Sequence, residues 1–262
     1  MDSILSTVYP NFRDLGNQIT EDGSLICSGR LFRSPDLQEK SPEATAALQA
    51  LQLDYIVDLR CPVEVMERKD VSLEGTAYQN TPVLPAKPYL SIIVCKAGRL
   101  LCLWWLLLHK GQRIKDQKIA SYKAIPFSEA YQFAFQLMDR GCSFVFHCTE
   151  GKDRTGWLAA VIQYCLGMSK DAVRKEYLKS NECRPGKDRS GLQKYGIPME
   201  QIARGSYCEF VHEELFDLAW NTAVEAYGSF DNYLLQVFQI TPERIALWKT
   251  HYLQEKKGTS ES

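Results

Sequence analysis

Two short apolar runs, Tyr55-Ile56-Val57-Asp58-Leu59 and Ser143-Phe144-Val145-Phe146, show no polar alternation and read as strands buried on both faces. Each is followed by a stretch with helical spacing, which predicts a mostly parallel sheet flanked by helices, an α/β fold. Ser24-Leu25-Ile26-Cys27 and Arg30-Leu31-Phe32-Arg33, joined through Ser28-Gly29, predict a short hairpin. Ser41-Pro42-Glu43 opens a helix through Leu51, with serine as the cap and proline in the first turn. Arg154 to Leu166 is an apolar helix, and Ser169 caps another that runs to about Lys179. Three more helices are expected near 208–226, 229–238 and 242–254.

No repeat of domain scale and no low-complexity linker divides the chain, so one domain over residues 1–262 is expected, with a polar tail at 256–262. The odd segment is 92–108, which ends in the nine-residue run Leu100-Leu101-Cys102-Leu103-Trp104-Trp105-Leu106-Leu107-Leu108. A bilayer span needs about 20 apolar residues, and Lys96 and Arg99 block any extension, so no transmembrane segment is expected. A buried core helix and a cover or lipid-touching surface both remain open for it.

Charge narrows the partners. With 31 basic against 32 acidic residues, nothing suggests electrostatic capture of nucleic acid, so an anion must be recognised at a local site. The nine cysteines, at 27, 61, 95, 102, 142, 148, 165, 183 and 208, are odd in number and lack C-x-x-C pairs. That pattern argues against a disulfide-stapled secreted domain and against paired zinc ligands, and predicts mostly buried thiols in a reducing compartment. Met1-Asp2-Ser3-Ile4 begins no basic stretch with an apolar run after it, so a cytoplasmic location is expected.

The chemistry lies in His147-Cys148-Thr149-Glu150-Gly151-Lys152-Asp153-Arg154-Thr155-Gly156, between the second strand and the apolar helix. Five residues between Cys148 and Arg154 let a loop curl its backbone N–H groups toward one point, where the helix N-terminus favours an anion. Thr149, Glu150, Gly151 and Lys152 supply those amides, and Arg154 offers a planar fork of donors to two phosphate oxygens. The same field should lower the Cys148 thiol from about 8.5 into the range of about 3.5–7.5, making a thiolate nucleophile. Thr155 can donate its hydroxyl to that sulfur as it leaves, while His147 and Gly156 support the loop. A nucleotide-binding Walker loop is excluded, because Asp153 follows Gly151-Lys152 where Ser or Thr is needed.

A second run, Cys183-Arg184-Pro185-Gly186-Lys187-Asp188-Arg189-Ser190-Gly191, repeats the spacing. It follows a helix instead of a strand, and Pro185 removes an N–H such a loop needs, so it reads as an exposed basic loop.

The chain resembles the bacterial and fungal tyrosine/lipid phosphatases of the mycobacterial tyrosine phosphatase B type. The resemblance rests first on the His147–Gly156 loop. Weaker motifs follow in the family's order: Asn11-Phe12-Arg13-Asp14-Leu15-Gly16, Phe32-Arg33-Ser34, Asp58-Leu59-Arg60 with Glu64, Tyr177-Leu178 with Ser180-Asn181, and Tyr227-Gly228-Ser229-Phe230. It implies a cysteine-phosphatase fold without metal or organic cofactor, and a helical lid-like insertion at about 88–125. It also implies hydrolysis of protein phosphotyrosine, with phosphoserine/threonine and phosphoinositides among the substrates, and contact of 92–108 with a membrane surface would suit the last of these. Asp153 becomes the expected general acid, since the family uses the loop Asp beside the Arg. Asp58 and Arg60 are expected to pair with the loop from the neighbouring strand, and Lys152 to favour substrates with more than one phosphate. Cys61 departs from the pattern, standing where a small polar residue is expected. If the two strands are neighbours, Cys61 and Cys148 emerge at one sheet edge and could form a reversible disulfide. A phosphate-binding module without turnover is the rival reading, and an intact Cys148, Asp153 and Arg154 argue against it.

Overall fold

The computed structural model describes residues 2–83, 112–183 and 210–255. The order begins α1 (Asp2–Val8), β1 (Arg13–Asp14), β2 (Leu25–Ile26), β3 (Leu31–Ser34), α2 (Pro42–Gln49), β4 (Tyr55–Asp58), α3 (Pro62–Glu67) and β5 (Ala77–Asn80). It continues with α4 (Gln112–Ala124), two single 3₁₀ turns, α5 (Gln132–Asp139), β6 (Phe144–His147) and α6 (Arg154–Cys165). α7 (Lys170–Leu178), α8 (Ser180–Cys183), α9 (Glu213–Tyr227), α10 (Phe230–Phe238), α11 (Pro242–Tyr252) and β7 (Leu253–Gln254) complete it.

The main sheet runs β1-β3-β6-β4-β5, parallel except for β1, which lies antiparallel to β3. Its strands β4 and β6 are apolar up to their last residues, Asp58 and His147, because both faces are covered. Val57, Phe144 and Phe146 enter one core with α5, α6 and α9, whereas Phe32, Ile56 and Val145 enter a smaller one with α1 and α2. α6 is buried nearly all round, as its largely apolar sequence requires. The expected caps are in place: Ser41 Oγ accepts the Ala44 N–H and Ser169 Oγ accepts the Ala172 N–H, each at 3.2 Å.

The expected hairpin does not form. β2 pairs with β7, far along the chain, and β3 has both edges occupied by β1 and β6. The Ser28-Gly29 turn is held from outside instead, with the Ser28 hydroxyl and Gly29 N–H donating to Asp14 Oδ2 at 2.5 and 2.7 Å. The helix expected from 208 starts at Glu213, and the one expected to reach 254 stops at Tyr252, giving way to β7. Of the expected insertion at 88–125, the described end is α4, which packs on α9. The segment 92–108 and the basic run after Cys183 lie outside the described residues. Among the described residues, no helix is long and apolar enough to cross a membrane.

Candidate active site

The loop 148–153 leaves the carboxyl end of β6, the central strand, and feeds α6 directly. In parallel sheets that end is where ligands bind, because crossovers separate there. Gly151 takes a left-handed φ of 65°, and a Cβ on it would stand 2.3 Å from the Ser34 carbonyl oxygen. No other residue type fits that turn.

Arg154 opens α6 and is clamped by Glu64 from α3. Its Nη1 donates to Oε2 and its Nη2 to Oε1, both at 2.8 Å, so the guanidinium is held in one plane. Weaker bonds run to Thr149 Oγ1 at 3.3 Å and the Leu59 carbonyl at 3.4 Å. Burial opposes both charges, but each sustains the other. Glu64 is held well below the usual carboxylate range by Arg154, Thr149 and the Cys61 N–H, and Arg154 is pushed further up. Thr149 thus turns its hydroxyl to Glu64, not to the pocket.

Cys148 is buried beside this pair. Burial alone would raise its thiol, but the Arg154 charge, the Thr155 hydroxyl and N–H, and the Glu150 N–H outweigh it and bring the thiol below its ordinary value. The other two buried thiols among the described residues differ: burial pushes Cys61 and Cys165 up. The Thr155 hydroxyl is itself buried without another protein partner among the described residues.

His147, fully buried at the end of β6, sets its Nδ1 3.3 Å from the Cys148 carbonyl and its Nε2 3.0 Å from Asp70 Oδ2. Desolvation works against its charge, yet Asp70 and Asp58 together raise its pKa. Asp58 and Arg60 lie behind it, bonded to each other, with Arg60 also on Asp70 at 2.7 Å. They meet the loop at His147, which lies 3.9 Å from Asp58. Asp58, Asp70 and His147 have the donor set of a metal site, with ligand atoms within 4.8 Å of one another. The Arg60 guanidinium bonds both carboxylates there, each at 2.7 Å.

The opposite wall carries residues of the weaker motifs. Asn11, at φ 86°, donates its amide to the Glu150 and Gly151 carbonyls at 3.3 and 2.8 Å. Arg33 donates to the same Gly151 carbonyl at 2.8 Å, and Glu176 accepts from both Arg13 and Arg33 at 2.5 and 3.0 Å. Ser180 receives both arginines at 3.3 Å. Gly156 permits the Tyr177 ring to approach, since a Cβ there would meet it at 2.8 Å.

Lys152 is buried, with its ammonium 2.7 Å from Glu150 Oε2. Asp153 makes no capping bond to α6. Its Oδ1 accepts a short hydrogen bond from the Tyr122 hydroxyl on α4 and lies 3.8 Å from Lys118 Nζ. Glu64, Tyr122, Asn11, Arg13 and Glu176 received no role from sequence reasoning, although Glu64, Asn11 and Arg13 stood inside motifs that were noticed. Cys61 caps α3, donating its N–H to Glu64 Oε2 at 2.9 Å, and both Cys61 and Cys148 carry free thiols.

A model of the tyrosine phosphatase family matches residues 5–254. A Cupriavidus necator protein carried under the name of a tyrosine-protein phosphatase is 26% identical over 246 residues, which is 93% of this chain and 85% of its own. A Mycobacterium tuberculosis protein named triple specificity protein phosphatase PtpB is 27% identical over 198 residues, 67% of this chain and 68% of its own. With nearly its whole length matched and a loop of this geometry at the end of its central strand, the chain belongs to the tyrosine phosphatase family.

Proposed function

We propose that the chain is a cysteine-dependent phosphatase that hydrolyses phosphate monoesters through a phosphocysteine. Its main substrate is protein phosphotyrosine, with phosphoserine/threonine and phosphoinositides accepted as well. The observation that carries this reading is the lowered thiol of Cys148 beside an arginine locked in plane by Glu64, while the buried thiols of Cys61 and Cys165 are raised.

The loop amides and Arg154 bind the three equatorial oxygens, where fixed donors stabilise developing charge. Cys148 attacks phosphorus and the ester oxygen leaves with a proton from Asp153. Water then attacks the phosphocysteine, Asp153 takes its proton, and the Thr155 hydroxyl stabilises the departing thiolate. His147, Gly156, Asp58 and Arg60 hold the loop in shape. A reducing, cytoplasmic setting suits such a thiolate.

Breadth of substrate rests on Lys152, a second cation in the loop, and the relative's name points the same way. The test is a panel of phosphotyrosine peptide, phosphoserine peptide and phosphoinositides, run with wild type, Cys148→Ser and Lys152→Ala. Turnover should be highest on phosphotyrosine peptide and vanish in Cys148→Ser, and Lys152→Ala should lose more activity on phosphoinositides. A uniform loss in Lys152→Ala would remove the lipid reading, and turnover surviving in Cys148→Ser would remove the whole mechanism.

A further inference from the structure

The geometry points to Tyr122 as a positioning residue for Asp153, choosing which carboxylate oxygen carries the transferred proton; this rests on the acid role proposed above. Tyr122 is buried, and its hydroxyl donates to Asp153 Oδ1 and shares a short bond with the Tyr177 hydroxyl. Burial and the neighbouring Asp153 push that hydroxyl well up, so it stays a neutral donor at any working pH. Lys118 adds its charge on the same side, 3.8 Å from Oδ1, while anchored by a 2.9 Å bond to the Phe210 carbonyl.

Two elements therefore fix this corner of the loop: α4 sets Tyr122 and Lys118 on Asp153 Oδ1, and α7 sets the Tyr177 hydroxyl on that of Tyr122. Tyr177 cannot swing aside, because its ring packs against Gly156 at the start of α6. A carboxyl group free to rotate would present either oxygen to the pocket. With Oδ1 occupied by a donor, the proton must sit on Oδ2. The Asp153 side chain keeps 28% of its surface exposed. As the Cys148 S–P bond forms and the ester P–O bond breaks, the Oδ2 proton moves to the leaving oxygen. In the second half the attacking water returns a proton to Oδ2, and phosphate and the thiolate separate. The sequence hides this because Tyr122 lies 31 positions before Asp153, on a helix with no motif of its own.

The test is the dependence of kcat/KM on leaving-group pKa across a series of aryl phosphates, with Asp153→Asn measured in parallel. A positioned acid contributes about 10²–10⁴-fold, felt most by poor leaving groups. One hydrogen bond that aims it should be worth about tenfold. Tyr122→Phe should therefore lose about tenfold on phenyl phosphate and less than about twofold on nitrophenyl phosphate. Its slope should fall between wild type and Asp153→Asn, and Y122F combined with D153N should be no steeper than D153N alone. A steep D153N with a wild-type slope in Y122F would overturn the assignment of Tyr122, as would an equal loss on every ester, which marks a packing defect. A flat D153N would instead remove the acid role itself and the inference with it. If Y122F fails to fold because it strands the Tyr177 hydroxyl, Y122F/Y177F removes both partners of that bond and must show the same steepened slope.

Discussion

Two glutamates clamp arginines on opposite sides of one loop, in different surroundings. Glu64 holds Arg154 at the open wall, where the arginine side chain keeps 20% of its surface exposed and faces the place an anion would fill. Glu176 holds Arg13 and Arg33 at the closed wall, with Arg33 fully buried and its guanidinium passing the restraint to the Gly151 carbonyl. The chemistry of the two pairs is alike, but one aims a donor and the other fixes a backbone. Burial opposes both charges, and the partners make the difference. Arg33 comes down to about 10, with Arg13 adding to the shift, whereas Arg154 is raised by the carboxylate that faces it.

The largest expected effect comes from breaking the closed pair. Glu176→Gln strands two arginines against each other and should cost about 3–5 kcal/mol of stability in denaturant unfolding. Activity of the folded fraction should stay within about tenfold of wild type. Glu64→Gln should do the reverse. A stability loss of about 1–2 kcal/mol is expected, since Arg154 can be rehydrated, with kcat/KM down about 100-fold for want of an aimed fork. If the two variants exchanged these signatures, the division between aiming and fixing would fail.

What the sequence disclosed follows the same division. The His147–Gly156 loop was legible because its chemistry needs adjacent residues at fixed spacing, and β4, β6 and α6 because burial on all sides leaves continuous apolar runs. The closed wall was not legible. Glu176 stands 163 positions from Arg13 and 143 from Arg33, and only the fold brings them together. Glu64 was noticed beside Asp58-Leu59-Arg60, yet nothing in its spacing tells that it faces Arg154, 90 positions away. The hairpin was misread because Leu25–Ile26 and Leu31–Ser34 carry a local turn signal, while their true partners are β7 on one side and β1 with β6 on the other. Two-residue strands such as β1 and β7 have no periodicity to detect.

Acid titration gives a smaller effect. Desolvation raises both glutamates, but Arg33 with Arg13 around Glu176, and Arg154 around Glu64, bring their folded pKa values below the ordinary carboxylate value. The stability they contribute is therefore fully present above about 4.3 and is lost as pH falls through the folded values. Unfolding free energy should decline below that pH, and each glutamine variant should flatten the decline by at most about 1.4 kcal/mol per pH unit. An acid limb unchanged in both variants would show that neither carboxylate is held charged by its arginine.

The role proposed for the loop is to hold one reactive sulfur. The most direct measurement is rapid acid quench during turnover of a ³²P-labelled phosphotyrosine peptide, followed by peptide mapping. Label is expected on the peptide containing Cys148, with the acid stability of a thiophosphate, absent in Cys148→Ser and unchanged in Cys183→Ser. Label on Cys183, or full turnover by Cys148→Ser without any phosphoenzyme, would contradict it.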